Sequence, residues 1–182
     1  SSEKWHRPEA EVRALMALLS RYLRREINQL AEDGVRVRFI GRRDRLSPRI
    51  AKLLEWSEQA TAHNTDTTLV LALDYGGRWD VGAAASSLAH DVEAGRLRAE
   101  DIDETSLSAR MSLADQPTLD LCIRTGGEYR LSNFLLWQSA YAELWFTKTL
   151  WPDFTVDELD VAIDHFAGRE RRYGGRPAEV QS

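Results

Sequence analysis

Two short stretches of this chain pair adjacent glycines with groups that grip anions. The first reads Asp74-Tyr75-Gly76-Gly77-Arg78-Trp79-Asp80, and the second Arg124-Thr125-Gly126-Gly127-Glu128-Tyr129-Arg130-Leu131-Ser132-Asn133. Each follows an apolar run and precedes a helix-like pattern. A glycine pair lets the backbone come close to a ligand, and a helix N-terminus offers free N–H groups and a favourable dipole to an anion. The second stretch adds two guanidinium groups, Arg124 and Arg130, whose planar forks match phosphate oxygens, and the hydroxyl of Ser132. This is the chemistry of phosphate or diphosphate binding. The competing reading is a tight turn with solvated arginines. For Gly76-Gly77 the two readings balance, whereas the extra cations and the hydroxyl favour the anion for the second stretch.

Glu143 is the odd polar member at the end of the apolar stretch Phe134–Ala142. It reads either as a carboxylate at a surface helix end or as a ligand for a divalent metal beside a diphosphate. Taken alone, the surface reading is the stronger. Cys122 sits inside a short apolar strand pattern, which points to an inert thiol. His63, His90 and His165 lack ligand spacing and read as surface or helix-end groups. Arg36, Arg38, Arg42, Arg43 and Arg45 read as a solvated face, and Trp56 as packing. There is no Walker A lysine loop, no Gly-x-Gly-x-x-Gly fingerprint and no convincing nucleophile triad.

The elements that position these groups follow from periodicity. Val12, Leu15, Met16, Leu19, Tyr22, Leu23, Ile27 and Leu30 recur at helical spacing, so Pro8 to Asp33 is expected as a long helix stopped at Gly34. Val35–Ile40 alternates apolar and charged residues, as a strand with one wetter face does. Ser47-Pro48 opens a helix to about His63. Thr67–Leu73 is a continuous apolar strand of the kind buried on both faces, followed by a helix over about 80–92 that ends at Gly95. A short helix is expected over 101–110 and a strand over 119–124. Ser132-Asn133 is placed to cap a helix to about Ala142 that is covered on most sides, and Leu144-Trp145-Phe146 is strand-like. Thr155 and Glu158 have capping-box spacing, with Leu159, Ala162, Ile163 and Phe166 as the inward stripe of a last helix. Alternating strands and helices give an α/β fold, a mostly parallel sheet flanked by helices.

Composition narrows the class. A chain of 182 residues, 43% hydrophobic, suits one domain with a substantial core. A net charge of −5 argues against a nucleic-acid binder. The basic residues are nearly all arginine, with lysine only at Lys4, Lys52 and Lys148. No apolar run approaches the ~18 residues of a membrane span, and the opening Ser1-Ser2-Glu3-Lys4-Trp5 is unlike a signal peptide. One lone cysteine fits a reducing compartment, so a cytoplasmic location is expected.

The run from Asp120 to Glu143 (DLCIRTGGEYRLSNFLLWQSAYAE) resembles the signature of the cis-prenyltransferases, most closely their bacterial undecaprenyl diphosphate synthase branch. Ser1–Pro8 resembles the family's Ser-x-Glu-Asn-Trp-x-Arg-Pro segment, Asp74–Arg78 its Asn-Tyr-Gly-Gly-Arg turn, and Arg171-Arg172-Tyr173-Gly174-Gly175 its C-terminal Arg-x-Gly motif. The likeness runs in order along nearly the whole chain. It implies an undecaprenyl diphosphate synthase-like fold and successive cis condensation of isopentenyl diphosphate onto an allylic diphosphate, usually farnesyl diphosphate, with Mg2+. The product implied is a polyprenyl diphosphate, the precursor of the undecaprenyl carrier lipid of cell-wall synthesis, delivered to the membrane.

By the same resemblance, Arg124, Arg130 and Ser132 hold isopentenyl diphosphate, and Glu143 helps bind Mg2+, reaching across a homodimer. Trp5 and Arg7 lie on the allylic side, and Arg172 and Gly174 complete the partner subunit's diphosphate site. Lys4 stands at the family's catalytic Asn position, and because an ammonium cannot accept a hydrogen bond its share in catalysis is in question. Asp74 likewise replaces a usual Asn. The first long helix and the sheet are candidate walls of a hydrophobic tunnel. The resemblance further implies one domain over 1–175 without the family's first strand, phosphate loop (Asp-Gly-Asn-Gly-Arg-Trp-Ala) and helix, with a flexible tail over 176–182. The chain by itself would then lack full activity. A non-catalytic partner subunit of the same family is the alternative, against which stand the retained Arg-Thr-Gly-Gly turn and Glu143. A nucleotide-binding α/β protein is the more distant one.

Overall fold

The computed structural model describes residues 1–3 and 8–169. They form two compact units: Ser1–Pro117 together with Asn133–Trp137, and Thr118–Ser132 together with the chain from Gln138 onward.

In the first unit, helix α1 (Glu9–Glu32) leads into strand β1 (Val35–Ile40), helix α2 (Pro48–Ala60) and strand β2 (Thr67–Ala72). The two strands pair in parallel, Val37 against Leu69 and Phe39 against Leu71, so β1, α2 and β2 make one βαβ unit. The alternation in β1 turns Val37 and Phe39 inward. There they meet Leu23 and Ile27 of α1 and Ile50, Leu53 and Leu54 of α2 in one apolar core. Ser47 caps α2 by accepting from the Ile50 N–H, with Pro48 in the first turn.

The edge of β1 away from β2 is satisfied by side chains. The Val37 N–H donates to Thr61 Oγ1 at 2.9 Å, and the Phe39 N–H to Glu58 Oε1 at 3.0 Å. Asn64 Nδ2 donates to the carbonyls of Ala31 and Val35. Residues at the end of α2 and just beyond it thus take the place of a neighbouring strand for the Val37 and Phe39 N–H groups and the Val35 carbonyl.

Several expectations are corrected. Strand β2 is not buried on both faces: Leu69 and Ala72 are exposed. A strand with one parallel neighbour gains cover from the helices only on the face that shares their core. Trp56 is exposed rather than packed. The arginines expected as a solvated face are mostly engaged. Arg43 holds Glu58 through two bonds of 2.8 and 2.9 Å, Arg38 pairs with Asp115 at 2.6 Å, and Arg42 lies over the Trp79 ring. Helix α3 (Gly77–Glu93) begins three residues earlier than expected, inside the glycine motif. The short helix α4 (Glu104–Ser108) is closed by a reciprocal capping box between Asp103 and Ser106.

In the second unit, strand β3 (Leu121–Arg124) pairs in parallel with β4 (Glu143–Phe146), Leu121 against Glu143 and Arg124 against Phe146. Helix α5 (Val156–Ala167) starts with the expected capping box, Thr155 and Glu158 satisfying each other's backbone N–H groups. Of its expected inward stripe only Ala162 is buried; Leu159 and Ile163 are exposed. Among the described residues no helix is long and apolar enough to cross a membrane.

The largest correction concerns the expected helix from Asn133 to about Ala142. That segment is a series of turns, with Ser132, Asn133 and Leu135 at φ of +48°, +62° and +44°. Left-handed backbone at three of four consecutive residues is incompatible with a right-handed helix. Phe134, Leu136 and Tyr141 are exposed, so the segment is not covered on most sides either.

Ile27 has no exposed surface and joins α1 to the core. Ile27→Ala should therefore lower the unfolding free energy by about 2–5 kcal/mol, read as a shift of the denaturant midpoint at unchanged slope. A loss below about 1 kcal/mol would contradict this packing.

Candidate functional site

The first glycine motif lies in the first unit, and Arg124 to Ser132 of the second motif lie in the second unit. In the first, β2 runs out at Ala72 and the Leu73 N–H extends the ladder to the Ile40 carbonyl at 2.9 Å. Asp74 then turns the chain at φ +51°, and Gly76 becomes the N-cap of α3. A Cβ on Gly76 would stand 2.6 Å from Ser2 Oγ and 2.8 Å from Asn133 Nδ2. One on Gly77 would stand 2.9 Å from the Leu136 backbone nitrogen. The glycines here admit the protein's own segments, 1–3 and 133–136, against the start of a helix.

Asn133 is the clasp of this turn. Its carbonyl accepts the Gly77 N–H at 2.6 Å and its side-chain oxygen accepts the Arg78 N–H at 2.9 Å. The residue expected to cap a helix of its own caps α3 instead, 55 residues upstream. Two of the N–H groups that the sequence reading reserved for an anion are therefore engaged by Asn133. Its amide nitrogen donates to Glu3 Oε1 at 2.8 Å, the main reason the Glu3 carboxyl is held below its ordinary value. The Ser2 N–H donates to the Tyr75 carbonyl at 2.9 Å. The opening residues of the Ser-x-Glu motif are thus fastened to the Gly-Gly turn. Lys4, Trp5 and Arg7 lie outside the described residues, as do Arg172 and Gly174.

Beneath the turn lies a buried polar group that sequence reasoning missed. The Tyr75 hydroxyl donates to Asp80 Oδ2 at 2.8 Å, and Asp80 Oδ1 accepts from the Ser112 N–H and hydroxyl at 3.0 and 2.8 Å. Tyr75 also meets Trp79 and Phe134 edge-on. A spacing of five between Tyr75 and Asp80 was the available signal, but nothing local announced Ser112. Asp74 differs: it is 2% exposed and neither carboxyl oxygen has a hydrogen-bond partner among the described residues. Arg45 Nε stands 3.9 Å away. Burial pushes the Asp74 carboxyl above its ordinary value, against the pull of Arg45 and Arg42.

In the second unit, β3 delivers Arg124 to the other motif. Gly126 and Gly127 adopt φ of +86° and +74°, which glycine accepts without penalty. Their N–H groups donate to the carbonyls of Thr149 and Thr147 at 2.8 and 2.9 Å and fix the loop on the segment after β4. Arg124 Nη1 donates to Ser132 Oγ at 2.9 Å and to the Arg130 carbonyl, while Arg130 Nε reaches the same hydroxyl at 3.2 Å. Arg130 also pairs with Glu128. Two of the residues singled out in the sequence therefore converge on the hydroxyl oxygen of the third. Two guanidinium groups beside a hydroxyl have the donor chemistry that a phosphate oxyanion would require.

Glu143 is not part of that cluster. The register puts it beside Leu121, three residues before Arg124, roughly 10 Å along the strand pair. Its carboxylate lies 3.9 Å from Arg169 Nε, beyond hydrogen-bond distance. One carboxylate of this kind, completed by water and substrate phosphate oxygens, suits Mg2+. Cys122 is half-buried, and burial pushes its thiol up, in line with an inert group.

Residues 1–174 match the family model described as undecaprenyl diphosphate synthase. The chain is 53% identical over 180 residues to the ditrans,polycis-undecaprenyl-diphosphate synthase ((2E,6E)-farnesyl-diphosphate specific) of Xanthomonas axonopodis pv. citri, covering 99% of this chain and 70% of that one. It is 48% identical over 182 residues to the enzyme of the same description from Pseudomonas aeruginosa, covering 100% and 72%. Among solved structures, lavandulyl diphosphate synthase from Lavandula x intermedia in complex with dimethylallyl diphosphate superposes with a TM-score of 0.89 at 33% identity, over 95% of this chain and 75% of that one.

The environment of Asp74 makes a signed prediction. A carboxyl whose value is higher in the folded than in the unfolded state loses stability as rising pH charges it. Asp74→Asn should therefore raise the melting temperature at pH 7, and the gain should shrink as the pH falls toward the ordinary carboxyl value of ~3.9. A gain that does not change between pH 4 and pH 8 would show that Asp74 carries no such burden.

Proposed function

Because the chain belongs to the undecaprenyl diphosphate synthase family of cis-prenyltransferases, we propose that it makes undecaprenyl diphosphate by successive cis condensation of isopentenyl diphosphate onto farnesyl diphosphate. The observation that carries the site is the convergence of Arg124 and Arg130 on the Ser132 hydroxyl. These three hold the diphosphate of isopentenyl diphosphate. Trp5 and Arg7 serve the allylic substrate, with Lys4 at the position of the family's Asn, and Arg172 and Gly174 complete the diphosphate site of a partner subunit.

The chemistry needs little more than placement and charge. As the allylic carbon–oxygen bond breaks, negative charge gathers on the leaving diphosphate and positive charge on the prenyl fragment. The alkene of isopentenyl diphosphate attacks that carbon, a new carbon–carbon bond forms, and a proton is lost. Fixed guanidinium groups around the diphosphates stabilise the separated charge without having to reorganise. Arg124 and Arg130 also hold the nucleophilic alkene in position through its diphosphate, which removes much of the entropic part of the barrier. Mg2+, with Glu143 among its ligands, neutralises diphosphate charge when bound.

Placing Glu143 about three strand residues from the arginine loop supports its service in the other subunit of a homodimer. The second unit also exposes large apolar groups, among them Leu150, Trp151, Val156 and Val161, which a partner subunit would cover. The enzyme works in the cytoplasm and hands its product to the membrane. Sedimentation equilibrium should give twice the chain mass; a monomer at working concentrations would remove the shared site.

Kinetics test the assignment on the full gene product. Arg124→Ala and Arg130→Ala should each raise the KM for isopentenyl diphosphate and lower turnover, together about 10- to 100-fold in kcat/KM, as loss of one charge-assisted contact implies. Near-normal constants for both would take them out of the site. Glu143→Gln should move the Mg2+ titration to higher concentration, and an unchanged titration would count against it.

A further inference from the structure

The outer side of α1 and α2 carries a feature that the condensation does not use. Two adjoining depressions of about 800 and 590 Å3 run along the seam of these helices and share Arg24 and Arg49. Arg13, Ala17, Arg21, Arg24 and Asn28 follow one another at three- and four-residue steps on α1, facing Arg49, Lys52 and Trp56 on α2. Arg13 is paired with Glu9, and Arg45 approaches Asp74. Arg21, Arg24, Arg49 and Lys52 are exposed and form no ion pair among the described residues. The floor between them is apolar, with Met16 and Leu53, and Trp56 stands exposed at its rim.

We infer that this seam docks the enzyme on an anionic phospholipid bilayer. Four unpaired cations on one face of a chain with a net charge of −5 are complementary to an anionic surface, while the rest of the molecule is repelled by it. The aliphatic stems of lysine and arginine lie along apolar surface while their charges reach phosphate, and an exposed indole settles at headgroup depth. A bilayer satisfies all three features at once; a soluble phosphate would satisfy only the cations. The inference rests on the proposed product for its purpose. A chain of 55 carbons cannot be released into water, so a synthase already resting on a bilayer gives it a short path out.

The test is partition of the purified full gene product onto sucrose-loaded vesicles of phosphatidylcholine with one quarter phosphatidylglycerol, without substrate. Each cation near such a surface contributes about fivefold. Arg24→Gln should weaken partition by about fivefold and the Arg24→Gln/Arg49→Gln pair by about 25-fold. Arg36→Gln, an exposed arginine on β1, should change it less than twofold, and Lys52→Gln gives an independent reading if the pair folds poorly. Binding should also fall steeply between 50 and 500 mM salt and be absent on pure phosphatidylcholine. Equal partition of all variants, or no partition of the parent onto anionic vesicles, overturns the inference. So does a change in oligomeric state of the variants with partition unchanged, which would assign the seam to a second copy of the chain. Isopentenyl diphosphate incorporation, measured separately, distinguishes the failures: variants that lose vesicles but keep incorporation bear on docking, and a parent that binds vesicles without incorporation bears on the reaction.

Discussion

Backbone donors left over where strands end and helices begin must find acceptors, and in this protein distant segments supply them. Asn133 accepts two N–H groups from the start of α3, and Thr61 and Glu58 accept two from the edge of β1. Much of the local conformation follows from this requirement. Asn133 makes these contacts with its own backbone and those of Ser132 and Leu135 left-handed, and the sequence from 133 to 142 is a chain of turns although its apolar pattern suits a helix. The glycines at 76 and 77 are fixed by the same contact, since a Cβ at either would collide with the segment that caps the helix.

The two glycine motifs look alike in sequence and do different work. In the first, small residues create room for protein: the backbone of 133–136 and the side chain of Ser2 occupy the space beside the helix start. In the second, Gly126 and Gly127 spend their N–H groups on holding the loop to Thr147 and Thr149. The anion-seeking groups there are side chains, Arg124 and Arg130, organised around Ser132. Placement by a strand end gives a guanidinium a fixed origin, and a shared hydroxyl limits its rotamers, so the proposed capture of a diphosphate there would lose less entropy. The same economy explains why no nucleophile is needed for a reaction driven by charge separation.

Charge is unevenly distributed over the molecule, and the unevenness has local causes. Most arginines near the end of β1 are engaged by carboxylates or an aromatic ring, whereas Arg21, Arg24 and Arg49 along the α1–α2 seam form no ion pair among the described residues. Buried Asp74 is the opposite case, an acid whose side chain has no hydrogen-bond donor among the described residues. Arg45, 3.9 Å away, offsets part of that burial cost by its charge without hydrogen-bonding the carboxylate.

Periodicity alone located α1, β1, α2, β2, α3 and α5 to within a few residues, because each carries an apolar spacing or a cap that local sterics impose regardless of context. Residue chemistry alone singled out Arg124, Arg130 and Ser132, since two guanidinium groups and a hydroxyl beside a glycine turn have few other uses. The sequence could not show that Asn133 would cap α3, that Ser112 would complete Asp80, or that side chains of α2 and the turn after it would close the edge of β1. Those partners are 55, 32 and about 20 residues apart, and a hydrogen bond across such a distance leaves no periodic trace. The exposure of β2 and of the α5 stripe was also decided only in three dimensions, because burial depends on which neighbour covers a face, while hydrophobicity records only that a face could be covered.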